Sequence, residues 1–121
     1  MGDIATGIGH LLLGGLFVWA GIDHFRRFAA VKAMLVERHW PGPGLLLAAA
    51  SVLQIVAGLG LALNVARPLA ALLLAGFTVA ASLLLLDFWR FAGAARDGMR
   101  SGFAVNVGLV GGLLVAFAAS L

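Results

Sequence analysis

The stretch Pro68-Leu-Ala-Ala-Leu-Leu-Leu-Ala-Gly-Phe-Thr-Val-Ala-Ala-Ser-Leu-Leu-Leu-Leu86 runs without a charge from Arg67 to Asp87. At about 1.5 Å per helical residue, roughly 20 apolar residues cover a hydrocarbon core about 30 Å thick. Lipid offers no water to the peptide groups, so a crossing segment must bond to itself as a helix or close into a barrel. The run is too long and too continuously apolar for the alternating strand of a barrel, so it reads as a membrane-spanning helix.

Working outward, the same pattern recurs three times. Upstream lies the tight turn Asn64-Val65-Ala66-Arg67, with Pro68 placed for the first turn of the following helix. Before it comes a span over 44–63, and before that a span over 4–22. The two are joined by the basic stretch Asp23 to Pro43, too charged to cross. Downstream, the linker Asp87 to Arg100 carries the turn signal Asp97-Gly98. Ser101 is then placed to cap a fourth span over 102–120. The sequence predicts an all-α integral membrane four-helix bundle. Between spans one and two, Phe25 to Trp40 reads as a helix lying in the interface. Phe25, Phe28, Leu35 and Trp40 share one broad side, Arg26 and Glu37 lie opposite, and Pro41-Gly42-Pro43-Gly44 ends it.

Composition agrees. Hydrophobic residues make up 63% of the 121 and charged residues 11%, with mean hydropathy +1.10. That is too little polar surface for a water-soluble chain of this length, and it fits a single membrane domain over 1–121. The pI near 11.2 does not point to nucleic acid, because the basic residues flank apolar spans. With no cysteine, disulfides, thiol redox chemistry and thiolate metal sites are excluded. Met1-Gly2-Asp3-Ile4 lacks a basic leader region, so no cleaved signal peptide is expected. Gly2 to Thr6 formally fits a myristoylation pattern, but the first span is the stronger anchor.

Orientation follows from the cations. The first connection holds Arg26, Arg27, Lys32 and Arg38, and the third holds Arg90, Arg96 and Arg100. The second has Arg67 alone. Positive charge is retained on the cytoplasmic side, which predicts a multi-pass protein with both termini on the outer, periplasmic side.

Three residue sets are candidates for more than spanning. Small residues recur every four positions, as Gly108, Gly112, Ala116 and Ser120 in span four and Ala50, Gln54, Gly58 and Ala62 in span two. Such ladders let helix backbones approach, within a bundle or between subunits. The polar residues His10, Gln54, Thr78, Ser82 and Asn106 lie within spans and need partners in lipid; His10, Gln54 and Asn106 are the candidates for interhelical contacts. Finally, Asp23 and Asp87 sit at matching inner ends of spans one and three. There a carboxylate opposes the negative end of the helix dipole and calls for a cation. Arg26 or Arg27 suits Asp23, and Arg90 suits Asp87. Asp23-His24-Phe25-Arg26-Arg27-Phe28 also parallels Asp87-Phe88-Trp89-Arg90-Phe91, hinting at a duplicated two-helix unit. Asp87, Trp89 and Arg90 form the candidate site for a quinone or a lipid headgroup.

No catalytic or metal-binding constellation is visible. His10 and His24 are separated by roughly 21 Å along one helix, at 1.5 Å per residue, so they cannot clamp one haem iron, and no second intramembrane histidine stands on another helix. No cofactor is expected to be bound by the chain's own ligands; quinone and lipid are the candidate small molecules.

Several segments together resemble the DoxX family: Ala20-Gly21-Ile22-Asp23-His24-Phe25 after span one, the proline-containing approach Pro41 to Pro43, and Gln54 followed by Gly58 and Gly60. To these are added Leu86-Asp87-Phe88-Trp89, which resembles the family's His-Asp-Phe-Trp, and Asn106 with Gly111-Gly112 in the closing helix. The resemblance covers nearly the whole chain. It implies a four-helix bacterial or archaeal membrane protein, some relatives being associated with thiosulfate:quinone oxidoreductase. Where the family's pattern has ionisable or basic groups, this chain has His24, Gln54, Leu86 and Val105.

The leading functional expectation is a non-catalytic accessory subunit of a larger membrane complex, quinone-linked or electron-transferring, with membrane lipids and other membrane subunits as partners and no nucleic acid. The alternative is a quinone-reactive oxidoreductase subunit. A small transporter comes third, because transporters place charges or broken helices at mid-membrane and the mid-membrane set here is neutral.

Overall fold

The computed structural model describes residues 2–121; Met1, part of the N-terminal stretch read for a leader, lies outside them. The described chain is all-α. Five helices follow in order: α1 (Gly2–Arg26), α2 (Phe28–Glu37), α3 (Pro43–Leu63), α4 (Arg67–Leu85) and α5 (Gly93–Ala119), with a 3-10 turn over Phe88–Arg90 between the last two. Four of the helices are long and apolar enough to cross a membrane. The expected all-α membrane architecture, with a short helix between the first two spans, holds.

The chain divides into two compact units between Ala66 and Arg67. In the first, α1 packs along α3 and α2 lies against α3; in the second, α4 packs along α5. Each unit is thus a long helix, a short helical connection and a second long helix.

Which residues are inside and outside reflects a chain folded for lipid. The largest fully buried side chains are Leu61, Leu74 and Leu113, while Leu12, Leu45 and Val115 are about 70% exposed or more. In water such surface would drive association, whereas acyl chains are its proper solvent. The buried residues of α3 (Leu47, Ser51, Gln54, Ala57, Gly58 and Leu61) and of α4 (Ala70, Ala71, Leu74, Ala75, Thr78 and Ser82) fall at three- and four-residue spacings, giving each helix one inward stripe.

The connections show where local chemistry set the boundaries. The Arg27 N–H bonds the Asp23 carbonyl at 2.9 Å, so α1 keeps its ladder as far as Arg27. Phe25 therefore belongs to α1, and the interfacial helix is shorter than the expected Phe25–Trp40. It also ends before the prolines: His39 adopts the left-handed conformation (φ 61°), and the Trp40 N–H reaches back to the Leu35 carbonyl at 3.1 Å. That is a Schellman-type stop with histidine where glycine is usual. Asn64 closes α3 in the same left-handed manner.

The fourth span needs a larger correction. Its helix begins at Gly93, not near Ser101, so the Asp97-Gly98 turn signal and the proposed Ser101 cap lie inside α5. Gly93 (φ +67°) after extended Ala92 makes the turn instead. A glycine within a helix costs only about 1 kcal/mol relative to alanine, and neighbouring Ala94 and Ala95 are strong helix formers. Here local turn preference yields to a helix that continues beyond its apolar segment.

Candidate functional site

In the first unit the helix contact is built on glycine. A Cβ on Gly14 would stand 2.5 Å from the Gly58 carbonyl oxygen and 2.8 Å from the Ala62 nitrogen. One on Gly21 would meet the Ser51 carbonyl at 2.7 Å and the Ile55 Cγ1 at 2.6 Å. The α1 and α3 backbones therefore touch at two levels seven residues apart, an approach that only a missing side chain permits. Gly58 and Ala62 come from the four-residue ladder of span two; Gly14 and Gly21 went unrecognised in the sequence, although Gly7, Gly14 and Gly21 mark a heptad stripe.

Of the intramembrane polar residues, His10, Gln54, Thr78 and Ser82 are buried and Asn106 is half-buried. His10 and Gln54 are each 5% exposed. The Gln54 Oε1 accepts no hydrogen bond. The hydroxyls are satisfied locally, each donating to the carbonyl one turn earlier: Ser51 to Leu47 at 2.8 Å, Thr78 to Leu74 at 2.7 Å, and Ser82 to Thr78 at 2.7 Å. Asn106 makes a contact between helices, its Nδ2 donating to the Ser82 Oγ at 2.9 Å. Thr78, Ser82 and Asn106 thus form one continuous polar chain from α4 to α5.

The two carboxylates occupy corresponding places in the two units. Asp23, in the last turn of α1, faces Arg27 at 3.8 Å. Asp87, just past α4, faces Arg90 at 3.5 Å. The environments differ, since the Asp23 side chain is 24% exposed and that of Asp87 only 5%. Arg26 shares the last turn of α1 but is not the residue that meets Asp23.

Around Asp87 the chain assembles an aromatic cluster. Phe88, Trp89 and Phe103 pack edge to face, with centroids 5.4 to 6.1 Å apart, and the Arg96 guanidinium lies 5.9 Å from the Phe88 ring centre. Phe103 carries the cluster into an open groove of about 200 Å³ between α4 and α5. Val79, Leu83, Val107 and Val110 form its apolar walls, and Ser82 and Asn106 also line it. Of the candidate residues, Asp87 and Arg90 pair with each other, while Trp89 packs on Phe103, which lines a groove that the sequence did not reveal.

The span-four ladder divides. Ala116 is buried, and the Ser120 hydroxyl bonds the Ala116 carbonyl at 2.6 Å. Gly112 is exposed, and Gly108 and Gly111 have open space where a Cβ would stand. Among the described residues, no three histidine, aspartate or glutamate side chains approach closely enough to hold a metal ion.

Four apolar helices, arranged as two helix pairs with a carboxylate–arginine pair at the end of the first helix of each, define a multi-pass membrane protein. The DoxX family model matches residues 7–87, from the first turns of α1 through Asp87, and the chain belongs to that family. Trp89, Arg90 and all of α5 lie beyond the matched segment. No curated protein and no solved structure matches the chain.

Proposed function

We propose that this protein is a non-catalytic subunit of a larger complex in a bacterial inner membrane, one that handles quinone or electrons, and that α5 docks against another subunit. The supporting observation is the uncovered small-residue face of α5. Only 11% of its most apolar window is buried, against 33% for α3 and for α4, and Gly108, Gly111 and Gly112 lie on the exposed part. Helices associate in lipid where small residues let backbones approach, and Gly108 and Gly111, with open space where a Cβ would stand, supply such a surface. Purifying the tagged protein from its native membrane in mild detergent, with mass spectrometry of what accompanies it, tests the reading. A partner should copurify and be lost in Gly112→Leu; a protein that comes out alone and monomeric overturns it.

A second reading, a quinone-reactive subunit, is favoured by the buried Asp87 carboxylate next to the Phe88–Trp89–Phe103 cluster. An apolar cleft with a few polar groups suits such a ligand. Added quinone should then raise the thermal stability of the purified protein, with the effect lost in Asp87→Asn and Trp89→Ala. Absence of any quinone effect on the unmodified protein removes this reading.

A further inference from the structure

We propose that the α4–α5 groove and the arginines beside it hold one anionic phospholipid, with an acyl chain along the groove and the headgroup phosphate at Arg96 and Arg100. The groove itself is hydrocarbon. Its walls are the side chains of Val79, Leu83, Val107 and Val110, and its two polar residues are turned on each other through the Asn106–Ser82 hydrogen bond. An acyl chain placed along these walls carries no polar group that would need a partner there.

The phosphate end follows from what adjoins the groove. On α5, Arg96, Arg100, Phe103, Val107 and Val110 recur at steps of four, three, four and three, which places them along one helical face. That face grades from charged through aromatic to aliphatic. From Arg100 to Val110 is about 15 Å at 1.5 Å per residue, half of a hydrocarbon core about 30 Å thick, so the apolar part matches the depth of one leaflet. Arg96 and Arg100 are exposed. The nearby carboxylates do not cancel them. Asp87 is taken up by Arg90 at 3.5 Å, and Asp97, though three residues before Arg100 on the same helix, forms no ion pair with it among the described residues. Two guanidiniums one turn apart suit a phosphate diester, which accepts charge-assisted hydrogen bonds from both.

The test uses the full chain in an uncharged maltoside detergent, with dioleoyl phosphatidylglycerol, dioleoyl phosphatidylcholine or glycerol 3-phosphate added in separate arms. Retained lipid is counted by native mass spectrometry and thermal stability is followed in parallel. One phosphatidylglycerol should be retained at least fivefold over phosphatidylcholine, and glycerol 3-phosphate, which has no chain, should neither bind nor stabilise. The preference should vanish in the double variant R96Q/R100Q and persist in Arg26→Gln. Val79→Phe, which fills the groove, should lose retention of the lipid altogether. Equal retention of the two lipids, a preference that survives R96Q/R100Q, retention unchanged in Val79→Phe, or full stabilisation by glycerol 3-phosphate would each overturn the proposal.

Discussion

The Asn106 side chain reaches from α5 to the Ser82 hydroxyl on α4 and donates a hydrogen bond of 2.9 Å. The Ser82 hydroxyl in turn donates to the Thr78 carbonyl, so its oxygen acts as donor and acceptor together. Within membranes such bonds contribute about 0.6 to 2 kcal/mol, because the separated helices also find polar partners. Asn106→Leu and Ser82→Ala should each lower stability by about 1 kcal/mol, and the double variant should be less destabilised than the sum of the two. Unfolding in mixed micelles by a denaturing detergent measures the cycle; strict additivity would show that the two residues do not interact.

The close approach of α1 and α3 yields a contrast between adjacent glycines. A methyl group on Gly14 would press on the Gly58 carbonyl and the Ala62 side chain, whereas Gly15 has nothing within 4 Å of its Cβ position. Gly14→Ala should therefore destabilise by about 1 to 3 kcal/mol through overpacking. Gly15→Ala should be neutral or stabilising, since alanine is better by up to about 1 kcal/mol in a helix interior. Equal effects of the two in the same unfolding measurement would mean that the helix contact lies elsewhere.

These two contacts show what could be read from the sequence. The spans were legible because crossing lipid is a matter of length and charge: an uncharged run such as 68–86 has few other uses. The Asp23–Arg27 and Asp87–Arg90 pairs were legible because their partners lie three or four residues apart on the same stretch of chain. Pairings between helices were not. Gly58 was visible in a ladder and Asn106 as a polar residue in need of a partner, but a periodicity on one helix does not specify the level at which another meets it. The groove was invisible for the same reason, being the space left between α4 and α5. The start of α5 was not legible from Asp97-Gly98 because a glycine inside a helix costs only about 1 kcal/mol, and the helix begun at Gly93 runs through it.

Orientation is testable because the chain has no cysteine, so a single introduced thiol reports alone. From the distribution of arginine and lysine, the Asn64–Arg67 turn is expected outside and the segment around Ala94 inside. A membrane-impermeant maleimide added to intact cells should label Val65→Cys, whose native side chain is 64% exposed, and spare Ala94→Cys until the membrane is opened. The reverse pattern would invert the topology. Labelling of both in intact cells would show that the segments do not lie on opposite sides.

Gln54 offers a test of the opposite sign. It is 5% exposed, its Oε1 accepts no hydrogen bond, and its Cβ lies 3.3 Å from where a Gly21 Cβ would stand. An unpaired amide oxygen in an apolar setting costs about 1 to 3 kcal/mol, and leucine is of similar size and asks for no partner. Gln54→Leu should therefore stabilise the isolated protein in detergent by about 1 kcal/mol or more, reversing the usual sign for a core substitution. Gln54→Ala removes the same acceptor but leaves a cavity, and should destabilise. A loss of stability in Gln54→Leu as large as that in Gln54→Ala would mean that the amide makes a favourable polar contact within the folded chain.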